Sequence, residues 1–599
     1  MATKSAEKKE VFPYMVNNSP HSSYPHPFKV IDGCLFKEVR TRNGSYDQKL
    51  CNFLPCIVRE VTVDDGAEES KRLVLGGVRQ DGSPLPEIEV TGSDLGSFGW
   101  LIDKWGADCV LEVGFSVRDS VRYAIQMTAP DAERQTVYEV TGWKKIGGDW
   151  RFLMPGGEDL TVRLPGKLDR YAFPADASPE ALSVLPCLLE NPPAPKEVIW
   201  PLLACTFLSP LNCFLRMGDC EPKFMVLFLG RTGTGKSTLS SFFLSFFGHF
   251  TPSDLPISFR DTKNSIGECC AMLNDVLTCV DDFHPSSRKE EQELAEKVQT
   301  LARAYGDRVG RGRLRADATL MPARPPRGNA ILTAELPPEI GESGLARCFT
   351  VELHPGDFDT DAYKFFEDAS RQGILQSCMR LFTEWLRGKF LHDAEVEQAF
   401  VSSLRQAFES YREEFRRSGV PCHGRLPEIV AWLRIGFVVL LLFLKDVNVF
   451  SQEQVDAYRA EYVSLLYAAA RKQARSIEQD KPAHIFVRKL YALIESGQAT
   501  VLPKSNPYSC SAKDLVAYED DEFYYLLNDA AHRAVRQLCE DQGELFVIGS
   551  RALPKALAEE KLIDCDGGNT RSIRVGGRTV RVVALRKERA RQIVEEGTS

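Results

Sequence analysis

Between Phe28 and about Gly157 the chain alternates short apolar runs with turn signals. FKVIDGCLF, LCNFLPCIVREVTV, KRLVLGGV, CVLEVGF, TVYEVTGWKKIGG and WRFLMPGG are rich in β-branched and aromatic residues, as half-buried strands are. The pattern predicts a β-rich N-terminal domain over 28–172 with one or two helices, Ser93–Trp105 being the best candidate, and a turn at Asp64–Asp65. No catalytic constellation is visible in it. Residues 1–27 are polar and read as a disordered tail. The clustered prolines of 173–200 read as a linker or a lid helix. Over 356–483 the period changes. LQSCMRLFTEWLRGKFL and FVSSLRQAFESYREEFRR repeat apolar residues at three- and four-residue spacing, which predicts a helical domain. The longest apolar run, Ile435–Leu444, is too short to span a bilayer and reads as a buried helix.

Residues 201–355 carry the chemistry. The apolar run Phe224–Leu229 leads into Gly230, Arg231, Thr232, Gly233, Thr234, Gly235, Lys236, Ser237 and Thr238, and a helical run over Leu239–Phe247 follows, closed by Gly248. This is G-x-x-x-x-G-K-S in its required context of strand, loop and helix. The glycines let backbone N–H groups turn toward a phosphate, and the helix N-terminus adds partial positive charge. Lys236 can reach the β- and γ-phosphates of ATP, and Ser237 can hold Mg²⁺.

A second strand, Asp275–Val280, ends in Asp281 and Asp282, about 45 residues after Lys236. Two carboxylates at such a strand end suit a metal-holding acid, Asp281, and an acid that orients or deprotonates water, Asp282. Ser287 with Glu290 has the spacing of a capping box, and Leu294, Val298 and Leu301 line one face of the helix it starts. A glycine- and proline-broken segment follows, RAYGDRVGRGRLRADATLMPARPPRGNAILTAE. Its arginines, among them Arg308, Arg311, Arg313 and Arg315, can grip a nucleic-acid backbone or meet a neighbouring subunit; a solvated basic loop is the third reading. The strand Asn329–Glu335 would set Thr333 or Glu335 near the γ-phosphate. Arg347, just before the apolar run Cys348–Leu353, is placed to enter the next subunit's ATP site.

The C-terminal 484–599 reads as strand and helix in FYYLLNDAAHRAVRQLCEDQG, a helix over Ser550–Leu562, and a hairpin about Gly576–Gly577. That order is winged-helix-like. Arg571, Arg574, Arg578 and Arg581 lie on the hairpin, as a basic wing against phosphates would place them, although winged helices also bind proteins.

Composition changes this picture little. The net charge of −9 argues against a generally basic nucleic-acid binder, leaving room for a local basic surface. The 17 cysteines include no C-x-x-C pair and sit mostly in apolar runs, as reduced thiols of a cytoplasmic protein do. The first ten residues, MATKSAEKKE, contain no apolar segment, so no signal peptide is expected.

From Gly230 to Leu353 the chain resembles the helicase-like ATPases of mobile genetic elements. These are the staphylococcal cassette-chromosome helicases and the motor modules of phage and plasmid primase-helicases. The resemblance rests on GRTGTGKST, TKNSIGECCAMLNDVLTCVDDFHP, RVGRGRLRADATLMPARPPRGNAILTAE and SGLARCFTVEL, in that order. It implies an AAA+-type α/β P-loop core using ATP and Mg²⁺. It also implies a ring, a hexamer in expectation, acting on single-stranded or forked DNA in replication. An NTPase switch that binds a protein partner is the rival, and a small-molecule or polynucleotide kinase a third reading.

Overall fold

The computed structural model describes residues 24–157, 160–310, 312–314, 320–321, 323–420, 422, 424–479, 481–506, 514–542, 546, 548–565 and 568–596. Most of the expected N-terminal tail, residues 1–23, lies outside them. The chain forms two compact units. One comprises the residues up to Pro337 with Glu352–Gln406 and Ile435–Asp456. The other comprises Pro338–Val351, Ala407–Arg434 and the residues from Ala457 onward.

The first unit begins with two sheets. Phe28–Ile31, Cys34–Thr41 and Gly44–Cys51 pair antiparallel. The second sheet has the order Thr161–Val162, Glu133–Tyr138, Phe53–Asp64, Glu69–Arg79, Pro84–Thr91. Trp105 anchors the core here, with its ring edge-on to Phe53 at 5.6 Å and to Trp100 at 4.9 Å. The best helix candidate, Ser93–Trp105, is two pieces, an α-turn at Gly92–Ser97 and a π-turn at Leu101–Trp105, and a second helix of this region spans Val117–Met127. Phe98, in the left-handed conformation with φ 56°, separates them. Asp64 is not in a turn. It ends its strand, buried, and accepts hydrogen bonds from Lys144 and from Gly66 N–H.

The 173–200 stretch is packed rather than a free linker. Val184–Glu190 and Lys196–Leu208 are helices, and Leu185, Leu188, Ile199 and Trp200 are fully buried.

After it comes a parallel sheet whose members in this unit run in the order β2, β3, β4, β1. Here β1 is Met225–Leu229, β2 Ile257–Ser258, β3 Leu277–Phe283 and β4 Asn329–Ala334. Val226 pairs with Ile331, Cys279 with Ile331 from the other side, and Ile257 with Val280. All five residues of β1 are buried, which is why MVLFL is continuously apolar instead of alternating. Helices α1 (Lys236–Leu244), α2 (Lys263–Met272) and α3 (Arg288–Asp307) follow β1, β2 and β3. Ser287 caps α3 by accepting from Glu290 N–H, while the Glu290 carboxylate turns instead to Ser286.

Asp275 sits inside this unit, 2% exposed, and not in the strand assigned to it from sequence. Its Oδ2 accepts the Trp143 N–H at 2.9 Å and its Oδ1 has no partner. Burial pushes its carboxyl up to about 6, against the pull of Arg216. Below the ordinary carboxylate range both folded and unfolded chains hold the proton. Between about pH 4 and pH 6 only the unfolded chain releases it, so stability falls as pH rises, by about 3 kcal/mol in all. The melting temperature of Asp275→Asn, measured against the unsubstituted protein, should therefore rise over that window and level off above it. A difference independent of pH would refute the assignment.

The second unit holds a five-stranded sheet in the order Thr500–Pro503, Leu515–Glu519, Phe523–Leu526, Arg578–Arg586, Arg571–Val575. Helices Pro482–Glu495, Asn528–Asp541, Leu553–Glu559 and Lys587–Glu596 accompany it, and Phe486, Leu490, Leu553, Leu557, Val583 and Leu585 share its core. The hairpin about Gly576–Gly577 is present, with φ 54° and 80° at the two glycines, as a tight I′ turn requires. It forms the edge of the five-stranded sheet.

Two helical segments, Lys196–Met217 and Leu426–Asp446, are long and apolar enough to cross a membrane, and 100% and 78% of their apolar windows are buried inside the protein. The run Ile435–Leu444 thus belongs to a helix of 21 residues, longer than the run suggests. Among the described residues every cysteine is a free thiol, and no group of three metal-ligating side chains occurs.

Candidate active site

The parallel strands set three chain segments side by side at their C-terminal ends. The loop after β1 carries Gly230–Gly235. Gly233 and Gly235 have φ 81° and 98°, conformations that side chains disfavour. A Cβ at Gly230 would lie 2.6 Å from the Leu353 carbonyl, and one at Gly235 would lie 3.0 Å from the Phe358 ring. The loop is therefore closed tightly from behind. Thr234 is buried and fixes the turn by donating its N–H and its hydroxyl to the Arg231 carbonyl, at 3.2 and 2.9 Å. Arg231 and Thr232 are exposed, and Thr238 is half-buried in the first turn of α1.

Lys236 opens α1 and folds back over the loop, donating to the Gly230 carbonyl and, at 3.1 Å, to that of Arg231. Burial lowers its pKa below the ordinary lysine value, against the opposing charges of Glu335 and Asp281. Ser237 Oγ donates to Asp281 Oδ1 at 3.1 Å. Asp281 and Asp282 lie within β3, not beyond it, at a register shift between Val280 and Phe283 where Asp282 takes φ 72°. From β4, Thr333 donates its hydroxyl to Asp281 Oδ1 at 2.5 Å and accepts the Asp282 N–H at 3.1 Å. Lys236, Ser237, Asp281, Asp282 and Thr333 are thus brought to one place. Glu335 joins them by accepting from Thr232.

Two neighbours escaped the sequence reading. Arg260 Nη2 lies 2.9 Å from Asp282 Oδ2, and His284 Nδ1 lies 3.2 Å from Glu335 Oε2. Arg260 follows a strand of two residues, too short to leave a periodic signal. His284 was legible only as the neighbour of the acidic pair.

These residues fit a nucleotide with its metal. A glycine loop at a helix N-terminus suits phosphates. A serine hydroxyl beside a carboxylate is an oxygen donor set for a hard divalent cation. Arg260 stands beside Asp282 as a counter-charge.

The arginine expectations divide. Arg308 is removed from the nucleic-acid set. Its side chain is only 4% exposed. It donates to the Pro222, Pro326 and Gly328 carbonyls at 2.7, 2.6 and 3.0 Å. Arg311 and Arg315 lie outside the described residues. Arg313 falls in the strand Arg313–Leu314, antiparallel to Leu320–Met321. Arg571 is also committed internally. It pairs with Asp564 at 2.5 Å and stacks over Phe523 and Tyr525. Arg581 bonds Thr570, and Arg574 and Arg578 are exposed. Arg347, in the second unit, donates to Ser343 Oγ at 2.7 Å.

Taken together, the chain is an α/β protein built on a parallel sheet with a phosphate-type loop. Its fold is shared with a solved helicase. The SCCmec type IV Cch protein, described as an active helicase, aligns with 95% of this chain and 99% of its own, at a TM-score of 0.56 and 12% identity. The apo C-terminal region of NrS-1 aligns with 88% of this chain and 96% of its own at 10% identity, and the JCV helicase with 40% and 65% at 14% identity. Their TM-scores of 0.27 and 0.21 are too low to establish a common fold. No family model and no curated protein matches the chain.

Proposed function

We propose that the chain is an ATP- and Mg²⁺-dependent DNA helicase or translocase of a mobile genetic element. It works as a ring, a hexamer of the AAA+ type, in DNA replication in the cytoplasm. The observation that carries this is the convergence of Lys236 and Ser237, Asp281 and Asp282, and Thr333 on one edge of a parallel sheet. It occurs in a fold shared with an active helicase over nearly the whole chain. In this reading Gly230 to Thr238 hold the phosphates. Ser237 and Asp281 hold the metal, which supplies charge neutralisation when bound. Asp282 orients water, and Arg347 completes the site of a neighbouring subunit. The C-terminal helices and hairpin act as a winged helix, with Arg574 and Arg578 as its free phosphate contacts. The domain division 1–27, 28–172, 173–200, 201–355, 356–483 and 484–599 belongs to the same proposal.

The test is ATP hydrolysis with and without single-stranded DNA, together with mass measurement in a non-hydrolysable nucleotide. Stimulation by DNA and a nucleotide-dependent ring are expected. Hydrolysis indifferent to DNA in a monomer would favour a switch that binds a protein. The commitment of Arg308 to backbone carbonyls and of Arg571 to Asp564 leans that way.

Asp282→Asn separates the two acids. It should bind ATP with near-normal affinity and hydrolyse it about 10²- to 10⁴-fold more slowly, the range set by a positioned proton acceptor. Loss of equilibrium binding as complete as the loss of turnover would show that the roles of Asp281 and Asp282 are wrongly divided.

A further inference from the structure

Three guanidinium groups surround one carboxylate oxygen at the far edge of the motor sheet. Arg216 Nη1 and Arg327 Nη1 each lie 3.8 Å from Glu221 Oε1, and Arg308 Nε lies 3.9 Å from it. None of these separations is a hydrogen bond. Glu221 Oε1, Arg216 Nη1 and Arg308 Nη2 are all buried without a partner. Arg216 donates Nη2 to Cys213 Sγ at 3.5 Å, and the Arg327 guanidinium makes no hydrogen bond among the described residues. A second carboxylate in electrostatic reach of Arg216 and Arg327 is Asp275. Three cations against two acids leave the cluster positive.

The cluster has a rigid frame. Arg308 ends α3 in the left-handed conformation, with φ 50°, and its side chain joins two loops. One loop, through the Pro222 carbonyl, carries Glu221 into β1. The other, through the Pro326 and Gly328 carbonyls, carries Arg327 into β4. Asn212 Nδ2 adds a bond to the Arg327 carbonyl at 3.0 Å. Arg216 and Arg327 stand at the mouth, 33% and 36% exposed, while Arg308 is sealed behind them. All of this lies where β1 and β4 begin. The phosphate loop lies where β1 ends, about 16 Å of strand away. A ligand here is not the nucleotide of the active site.

Like charges held together by a buried frame, with the half-buried Arg216 and Arg327 side chains at its rim, suit an oxyanion. A guanidinium pair meets a phosphate with parallel N–H donors, and partial desolvation strengthens that contact. We propose that Arg216 and Arg327, backed by Arg308, form a second oxyanion-binding site that takes a phosphate group, either a backbone phosphodiester of nucleic acid or a free phosphate. The nucleic-acid source rests on the translocase reading; the free-phosphate source does not.

The experiment uses the full-length protein with Arg216→Gln, Arg327→Gln, the double substitution, and Glu221→Gln. One probe is a fluorescein-labelled oligothymidylate titrated at several salt concentrations. The other is sodium phosphate against sodium chloride at matched ionic strength, read as a shift in melting temperature. If the phosphodiester is the ligand, each arginine lost lowers the slope of log affinity against log salt by about 0.7 to 1. If the ligand is free phosphate, only the phosphate-induced rise in melting temperature disappears. In both cases Glu221→Gln, which removes the carboxylate, shifts binding the opposite way, toward tighter. Loss of folding in the arginine variants cannot imitate that gain. ATP hydrolysis without DNA is measured in parallel and should not change. A wild-type protein without hydrolysis would defeat the translocase reading while leaving the phosphate response to be read. Unchanged salt slopes and phosphate responses in the arginine variants, with no gain in Glu221→Gln, would overturn the proposal and leave the cluster a structural clasp.

Discussion

Lys236→Ala is expected to abolish measurable ATP hydrolysis and most nucleotide affinity while leaving the protein folded. The ammonium lies across the backbone of the loop after β1. At rest it bonds the Gly230 and Arg231 carbonyls, and the acids Glu335 and Asp281 lie in its field. A bound triphosphate would replace those carbonyls with charged oxygens, a stronger interaction in a half-buried setting. Losing one such donor to a developing charge costs about 10²- to 10³-fold in rate, and losing ground-state binding adds to it. The fold should survive, because Leu239, Phe242 and Phe243 hold α1 in the core and Lys236 contributes no packing there. Phosphate release and equilibrium binding of a fluorescent nucleotide measure the two losses separately, and circular dichroism checks the fold. Full activity in a folded Lys236→Ala protein would remove this loop from the chemistry altogether.

Much of this site was legible in the sequence because its determinants are local. The run before Gly230, the glycine spacing and the helix after Lys236 are each fixed by residues within about fifteen positions. What the sequence missed depends on tertiary contacts. Asp275 looks like the first residue of a strand, yet it is turned into the core with φ 56° to accept the Trp143 N–H, so β3 starts later and includes both acids. Arg308 and Arg311 are chemically identical in a list of arginines. Only the carbonyls of Pro222, Pro326 and Gly328 converging on Arg308 reveal that it is internal. The C-terminal hairpin was readable from Gly576–Gly577. The parallel pairing of Thr500–Pro503 with Leu515–Glu519 was not, since nothing local specifies it.

Arg347→Ala should keep nucleotide binding and lose turnover by about 10³- to 10⁵-fold, the effect of removing a guanidinium that stabilises transition-state charge from a neighbouring subunit. Arg347 directly precedes the strand Cys348–Glu352 and follows the short helix Gly341–Leu345, whose Ser343 holds its guanidinium. Its guanidinium also donates to the Ser343 carbonyl, and a phosphate from a neighbouring subunit would have to displace these contacts. The decisive measurement mixes two inactive proteins, Arg347→Ala and Lys236→Ala. In a mixed ring some interfaces bring an intact Lys236 from one subunit to an intact Arg347 from the next. Those interfaces should hydrolyse ATP, so the mixture should exceed the activity of either protein alone. The gain should also rise with protein concentration, because assembly is at least bimolecular. If size measurements show mixed rings and the mixture stays inactive, Arg347 does not act between subunits, and a monomeric switch becomes the better account of the site.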